Sequence, residues 1–224
     1  MESIKLPTNI LLTANTKGGK SHYAINTLLP LLKGQYDVLV ICSPNLLNGD
    51  YDKFIADDKT IFKVGKKITQ AVDELIESQE KLFKMKKEGL LKQTQIPRIL
   101  IILDDCLGQA LLKGENSLMS SFAIRSRHLL MSFVIMTQKL RGMPRQVRLN
   151  CGYMVLFSVS NYSELEQVLD EYVCRKYRKA FREYVLELYK TPYNHLFISN
   201  FVSNPLERIW VNGTDQVDFS KFEA

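Results

Sequence analysis

No stretch of this sequence approaches the roughly 20 consecutive apolar residues that a membrane-spanning helix needs. The opening Met-Glu-Ser-Ile-Lys lacks the basic-then-apolar order of a secretory signal. A soluble, intracellular protein is therefore expected. Cysteine is sparse. Cys42, Cys106, Cys151 and Cys174 are far apart, and no two form a C-x-x-C pair. That spacing argues against a zinc site and against a disulfide framework. The first three lie in or beside apolar runs and are expected to be inert core thiols. There is no internal repeat, no low-complexity tract and no linker-like stretch. One domain over 1–224 is expected, with a core over about 9–157 and an elaboration over about 158–224. What is present suits a full core: 46% of the 224 residues are hydrophobic. The net charge of +6 is compatible with a polyanionic partner without requiring one.

The most informative stretch is Asn9-Ile-Leu-Leu-Thr-Ala-Asn-Thr-Lys-Gly-Gly-Lys-Ser21. An apolar strand runs into a small Gly-containing loop, and the loop ends in Lys-Ser. In the phosphate-loop frame G-x-x-x-x-G-K-[ST], Gly19, Lys20 and Ser21 fit, while Ala14 stands at the first Gly. Backbone N–H groups of Ala14, Asn15, Thr16, Lys17, Gly18 and Gly19 would cradle phosphate oxygens. The positive end of the following helix favours the same anion. Lys20 would reach the β- and γ-phosphates of ATP. The Ser21 hydroxyl would ligate Mg²⁺, a hard cation that prefers oxygen. A plain Gly-rich turn is the alternative at this point.

Further strands are read over Tyr36–Cys42, Thr60–Val64, Arg98–Leu103, Ser132–Gln138 and Tyr153–Phe157, with late ones over His195–Ser199 and Arg208–Val211. Their continuous apolar runs suit strands buried on both faces. Helical spacing marks 19 to about 32, with Tyr23, Ala24, Leu28, Leu31 and Leu32 on one side. It also marks 66 to about 91, 117–131, 162–172 and 175–189. Alternating strands and helices indicate an α/β fold, a mainly parallel sheet flanked by helices on both faces.

The strand ending Leu103-Asp104-Asp105 carries two acids that core packing does not require, although a helix cap or turn would also use them. Asp104 is a candidate Mg²⁺ holder and Asp105 a candidate base for an attacking water. Gln138 ends another strand and is a candidate contact for the γ-phosphate or that water. It would otherwise be a polar strand end. In a parallel sheet the three groups fall at one carboxyl edge, where ligands bind.

On the loop Gly19-Lys20-Ser21, the end Asp104-Asp105-Cys106 and the run Arg127-His128-Leu-Leu-Met-Ser-Phe-Val-Ile-Met-Thr-Gln138, followed by Pro144, Arg148 and Asn150, the chain resembles the FtsK/HerA superfamily of DNA-translocating ATPases. More narrowly, it looks like the genome-packaging ATPases of large DNA viruses and virophages. The resemblance covers residues 9–157. It implies a RecA-like P-loop core and a ring of five or six copies that hydrolyses ATP with Mg²⁺. It further implies that the ring pulls double-stranded DNA into a preformed capsid at a capsid or portal vertex, in the host-cell cytoplasm or viral factory, or at the virion vertex. It also implies an arginine finger acting on a neighbour's nucleotide. Arg127 stands at the family's position and Arg148 is the second candidate. Either would otherwise be a surface arginine. Asp105 stands where many relatives carry Glu.

Over 175–182 a wheel at about 100° per residue gathers Arg175, Lys176, Arg178, Lys179 and Arg182 on one side. Tyr177, Phe181, Tyr184 and Leu188 lie opposite. This basic side is a candidate phosphate-tracking surface for DNA, or an ordinary solvated face. Two other functions compete with a DNA motor: a slow P-loop switch acting through partners, and a nucleotide or nucleic-acid kinase. Residues 43–65 and 190–224 carry no functional reading.

Overall fold

The structure is a computed structural model that describes residues 4–44, 60–159 and 161–222. Among the described residues nine strands form one sheet: β1 Asn9–Thr13, β2 Val38–Cys42, β3 Thr60–Val64, β4 Ile99–Asp104, β5 Met131–Thr137, β6 Cys151–Leu156, β7 Leu196–Ser199, β8 Ile209–Val211 and β9 Asp215–Gln216. Their order is β3-β2-β4-β5-β1-β6-β7-β8-β9. The first six in sequence pair in parallel. β7, β8 and β9 add antiparallel strands beyond β6, and β9 had no signal in the sequence.

Side chains that alternate along each strand enter two cores. Leu11, Ile101, Leu103, Phe133, Ile135 and Met154 face one, which also takes in the apolar sides of helices α3 Ile68–Lys87, α4 Leu118–Phe122, α6 Tyr162–Tyr172 and α7 Arg178–Leu188. Ile10, Leu12, Ile102, Val134, Met136 and Val155 face the other, which is covered by the helix of residues 20–32. Central strands buried on both faces explain why their sequences read as unbroken aliphatic runs. Cys42, Cys106 and Cys151 are buried in the first core, and burial pushes the Cys42 thiol up to about 12.

The helix after β1 departs from a regular α-helix. Its first turn, α1 Lys20–Tyr23, passes into a π-helical turn over Ala24–Leu28 and then α2 Leu29–Leu32. Pro30 lacks the N–H needed to continue a regular ladder, and the wider turn lies just before it. The extra residue rotates the last turn, so Leu31 is exposed and not on the core side as its spacing suggests.

The helix expected over 117–131 is much shorter. Ser117 caps α4 by accepting from the Ser120 N–H, and a 3-10 turn over Ser126–Leu129 replaces the remainder. Buried Asn9 accounts for part of the break. Its amide donates to the Ala123 carbonyl, and its Oδ1 accepts from Ser126 Oγ and the Phe133 N–H. Helix α5 Arg145–Leu149 carries too few residues to show a period and was not foreseen. On α3 the sequence pattern overlooked buried Gln79, whose amide donates to the carbonyls of Pro97 and Leu129 and so ties the helix to the starts of β4 and β5.

Candidate active site

The loop after β1 is built at the carboxyl edge, between β5 and β6. The Ala14 N–H donates to Thr137 O, and the Asn15 N–H donates to Ser158 O. Lys17 and Gly19 adopt left-handed backbone, with φ of 61° and 97°. Glycine adopts that conformation at Gly19 without steric cost. Gly18 is needed for space: a Cβ there would lie 2.9 Å from both Ala14 Cβ and Asn15 O.

Lys20 opens the helix and folds back over the loop. Its Nζ donates to Ala14 O at 2.6 Å and to Asn15 O at 3.2 Å. Burial lowers its pKa, while the carboxylates of Asp105 and Asp104 oppose that shift. These acids sit at the end of β4, and the Asp105 N–H is held by Met136 O on β5. Asp105 has φ of 54°, so the chain turns sharply as it leaves the sheet.

The sequence expectation that three strand ends converge is met by direct contacts. Thr16 Oγ1 donates to Gln138 Oε1 at 2.9 Å. Gln138 Nε2 donates to Asp105 Oδ2 at 3.3 Å. One amide thus bridges the phosphate loop and the acid. The segment carrying Gln138 is anchored from outside the sheet. Buried Glu164 of α6 accepts from the Leu140 N–H at 2.8 Å, and Arg148 donates to Met143 O.

Arg148 is therefore occupied. Its side chain is 6% exposed and pairs with Glu171 through Nη2 at 2.6 Å. A buried guanidinium held by a carboxylate and a carbonyl is unsuited to reach another subunit, which removes it as the second finger candidate. Arg127 is exposed, and among the described residues it carries no ion pair. It precedes β5, whereas Gln138 follows it. Seven strand residues separate the two edges by about 23 Å at ~3.3 Å each. Arg127 consequently lies at the edge opposite its own loop, beside a cavity of 320 Å³ that Thr8, Ile124, Leu149 and Phe201 also line.

The basic side expected over 175–182 is divided. Arg175–Tyr177 form a 3-10 turn before α7 begins. Arg178 pairs with Asp170 and Arg182 pairs bidentately with Glu166, both on α6. Arg175 and Lys179 are exposed, and Lys176 lies over the Tyr177 ring at 4.4 Å.

A cavity of 590 Å³ opens beside Lys17–Ser21. Its far wall is Tyr23, Phe157, Tyr193 and His195. No local pattern marks this wall, because its members are scattered over 173 positions without a shared period. The one local hint was a polar His195 at the head of the apolar run Leu-Phe-Ile.

Ser21 stands in the first turn of α1 and Asp104 ends β4. Among the described residues there is no cluster of three His, Cys, Asp or Glu side chains.

Comparison by fold finds B204, the DNA-packaging ATPase from Sulfolobus turreted icosahedral virus, at 16% identity and a TM-score of 0.64, covering 91% of this chain and 96% of that one. The B204 genome packaging NTPase of Sulfolobus turreted icosahedral virus 2 in complex with ATP-γS matches at 16% identity and 0.62, over 91% and 95%. ATPases 2 and 3 of EssC from Geobacillus thermodenitrificans match at 15% and 0.60, over 86% of this chain and 38% of that one. These likenesses establish the RecA-like P-loop fold. Comparison by sequence with curated proteins finds no match. The family described as poxvirus A32 protein matches residues 2–218, and with that extent of agreement the chain belongs to the poxvirus A32 family.

Proposed function

We propose that the chain is an ATP-hydrolysing motor that moves double-stranded DNA into a preformed viral capsid, working as a ring of copies. The observation that carries the hydrolytic part is the Thr16–Gln138–Asp105 chain of hydrogen bonds beside Lys20. A turn without chemistry would not need an acid, an amide and a lysine from the segments after three separate strands at one point. The motor part is supported by membership of the A32 family and by the fold shared with B204, which is itself described as a DNA-packaging ATPase.

In this reading the loop N–H groups and the start of the helix bind the phosphates. Lys20 exchanges the carbonyls of Ala14 and Asn15 for β- and γ-phosphate oxygens. Ser21 and Asp104 would hold Mg²⁺, which supplies charge neutralisation at the phosphates. Asp105 orients the attacking water and accepts its proton. Gln138 leaves Asp105 and Thr16 to contact the γ-phosphate or that water, so its position differs between loaded and unloaded loops. Arg127 serves the loop of the next copy, since its own lies across the sheet. The exposed cations Arg175 and Lys179 contact DNA phosphates without reading sequence.

The test is the ATPase rate with and without long duplex DNA for the wild type, Lys20→Ala, Asp105→Asn and Arg127→Ala. Stimulation by DNA, abolished in each variant, is expected. Turnover indifferent to DNA but dependent on a small phosphate acceptor would replace the motor with a kinase. Slow turnover that responds only to a protein partner would replace it with a switch.

A further inference from the structure

Beyond Thr137, the last residue of β5, the chain leaves the sheet carrying Gln138. A backbone N–H that leaves the ladder and stays buried needs a new partner. The Lys139 N–H donates to Thr137 Oγ1 at 3.2 Å. The Leu140 N–H donates to Glu164 Oε2 at 2.8 Å, across to α6. The Met143 N–H closes a turn onto Leu140 O at 3.1 Å, and Met143 O accepts from Arg148. Gln138 therefore stands beside a run of fastened backbone, while its side chain reaches Thr16 and Asp105.

Helix α6 has no local need for this arrangement. Asn161 caps it by accepting from the Glu164 N–H at 3.1 Å, and Glu164 is the third helical residue. In a capping box an acid at that position turns back to the N–H of the cap residue. Glu164 turns its carboxylate to Leu140, on a separate segment. Glu164 is 3% exposed and Leu140 0%, so the contact is shut off from water. Carboxylates are rarely buried so fully unless they are held by a partner.

The other acids of α6 sort by direction. At about 100° per residue, Glu164 and Glu171 fall within about 20° of each other, and Glu166 and Asp170 lie on roughly the opposite side. The first pair faces the Gln138 segment: Glu164 holds Leu140, and Glu171 holds Arg148, which holds Met143. The second pair faces α7, where it holds Arg182 and Arg178.

We propose that Glu164 is a positioning residue for hydrolysis. Its carboxylate fixes the backbone two residues beyond Gln138, so that only the side-chain amide moves when it passes from Asp105 to the γ-phosphate or the attacking water. Without this anchor the segment after β5 shifts as a unit and the amide loses its aim. This role rests on the reading of Gln138 as a contact for that phosphate or water, and it adds a residue that touches neither.

The test is single-turnover ATP hydrolysis beside calorimetric ATP affinity and melting temperature, all on the full chain with magnesium. Glu164→Ala should lower kcat by roughly tenfold to 10²-fold, the order of a small misplacement of a reacting group. ATP affinity should stay within about threefold. Glu164→Gln should restore most of the rate, because its amide oxygen still accepts from the Leu140 N–H. Glu164→Asp, one methylene shorter, should lose rate in the same direction and reads the same role if the alanine variant does not fold. Adding Glu164→Ala, or Glu164→Asp, to Gln138→Ala should cost no further rate, since residues that act as one unit are not additive. Glu166→Ala loosens the opposite side of the same helix, so it should lower melting and leave kcat unchanged. An additive loss in the double variant would overturn the role. So would wild-type kcat in both Glu164→Ala and Glu164→Asp, or an equal loss of kcat in Glu166→Ala. Wild-type kcat in Gln138→Ala would instead overturn the reading of Gln138 itself, a result distinct from failure of Glu164 alone.

Discussion

Lys20 Nζ donates to the Ala14 carbonyl at 2.6 Å, so the residue that departs from the usual loop pattern is the one that holds the loop lysine. Ala14 is buried and its backbone φ is not positive, so no glycine is demanded there. The space is provided by Gly18 instead, which lets the loop close over the Ala14 methyl group.

Gly18→Ala should therefore damage the loop where Ala14→Gly does not. A methyl at 18 meets Ala14 Cβ and Asn15 O, both at 2.9 Å. Overpacking of this kind costs about 1–3 kcal/mol, which corresponds to a loss of roughly 5- to 150-fold in ATP affinity by calorimetry. Ala14→Gly alone should stay within about threefold. The double variant should recover only in part, because the clash with Asn15 O persists. Loss of binding in Ala14→Gly alone would refute this account.

Gln138→Ala separates binding from hydrolysis. Gln138 touches Thr16 and Asp105 but none of the loop N–H groups. We expect kcat to fall by about 10²-fold or more, as for loss of one preorganised donor at a reacting phosphate. ATP affinity should change by less than about threefold. Single-turnover hydrolysis beside equilibrium binding reads both. A matched loss in both would make Gln138 a binding residue.

The two arginine candidates should fail in opposite ways. Breaking the buried Arg148–Glu171 pair leaves an uncompensated carboxylate, at a cost of about 3–5 kcal/mol. Arg148→Ala should accordingly lower the melting temperature. Arg127→Ala should leave melting unchanged and abolish turnover. Mixing Arg127→Ala with Lys20→Ala subunits should restore part of it, because each variant supplies the half-site that the other lacks. Absence of rescue would refute the neighbour-acting role.

The sequence made the parallel strands legible because each is a run of aliphatic residues with both faces buried, as in Ile99–Leu103 and Phe133–Met136. It singled out Lys20, Asp105 and Gln138 as candidates because their chemistry is abrupt after such runs. It overestimated the helix over 117–131, where Asn9, more than a hundred positions away, takes the Ala123 carbonyl. It could not see that Arg178 and Arg182 are paired, since Asp170 and Glu166 lie on another helix. The aromatic wall was hidden for the same reason: Tyr23, Phe157 and His195 meet only after β6 and β7 pair. Tertiary proximity between distant positions leaves no local period to read.

Stability should fall on mild acidification through His195. Burial lowers its pKa below the ordinary 6.5. The unfolded chain then binds this proton more readily than the folded one, so stability is complete above about pH 6.5 and declines as pH drops from there to the folded value. Melting temperature followed from pH 7.5 to 5 should drop less for His195→Gln than for the wild type. Identical slopes would show that His195 does not contribute.

DNA binding should divide the basic residues into two groups. Arg175→Ala and Lys179→Ala should each reduce the slope of log affinity against log salt by about one, as phosphate contacts do. Arg178→Ala and Arg182→Ala should act mainly on melting, because their guanidinium groups fasten α7 to α6. A salt slope unchanged by the first pair would place the DNA elsewhere on the chain.

Arg127 precedes β5 and Gln138 follows it, and this has a consequence for how copies can associate. In the proposed motor each contact joins the Arg127 edge of one copy to the loop edge of another. A two-fold contact can do this reciprocally but stops at two copies, whereas a ring of more copies needs unlike surfaces repeated in one sense. Such a heterologous contact closes on itself when the rotation between copies divides a full turn, and otherwise winds into an open filament. In a ring built this way, polarity would follow the direction of β5.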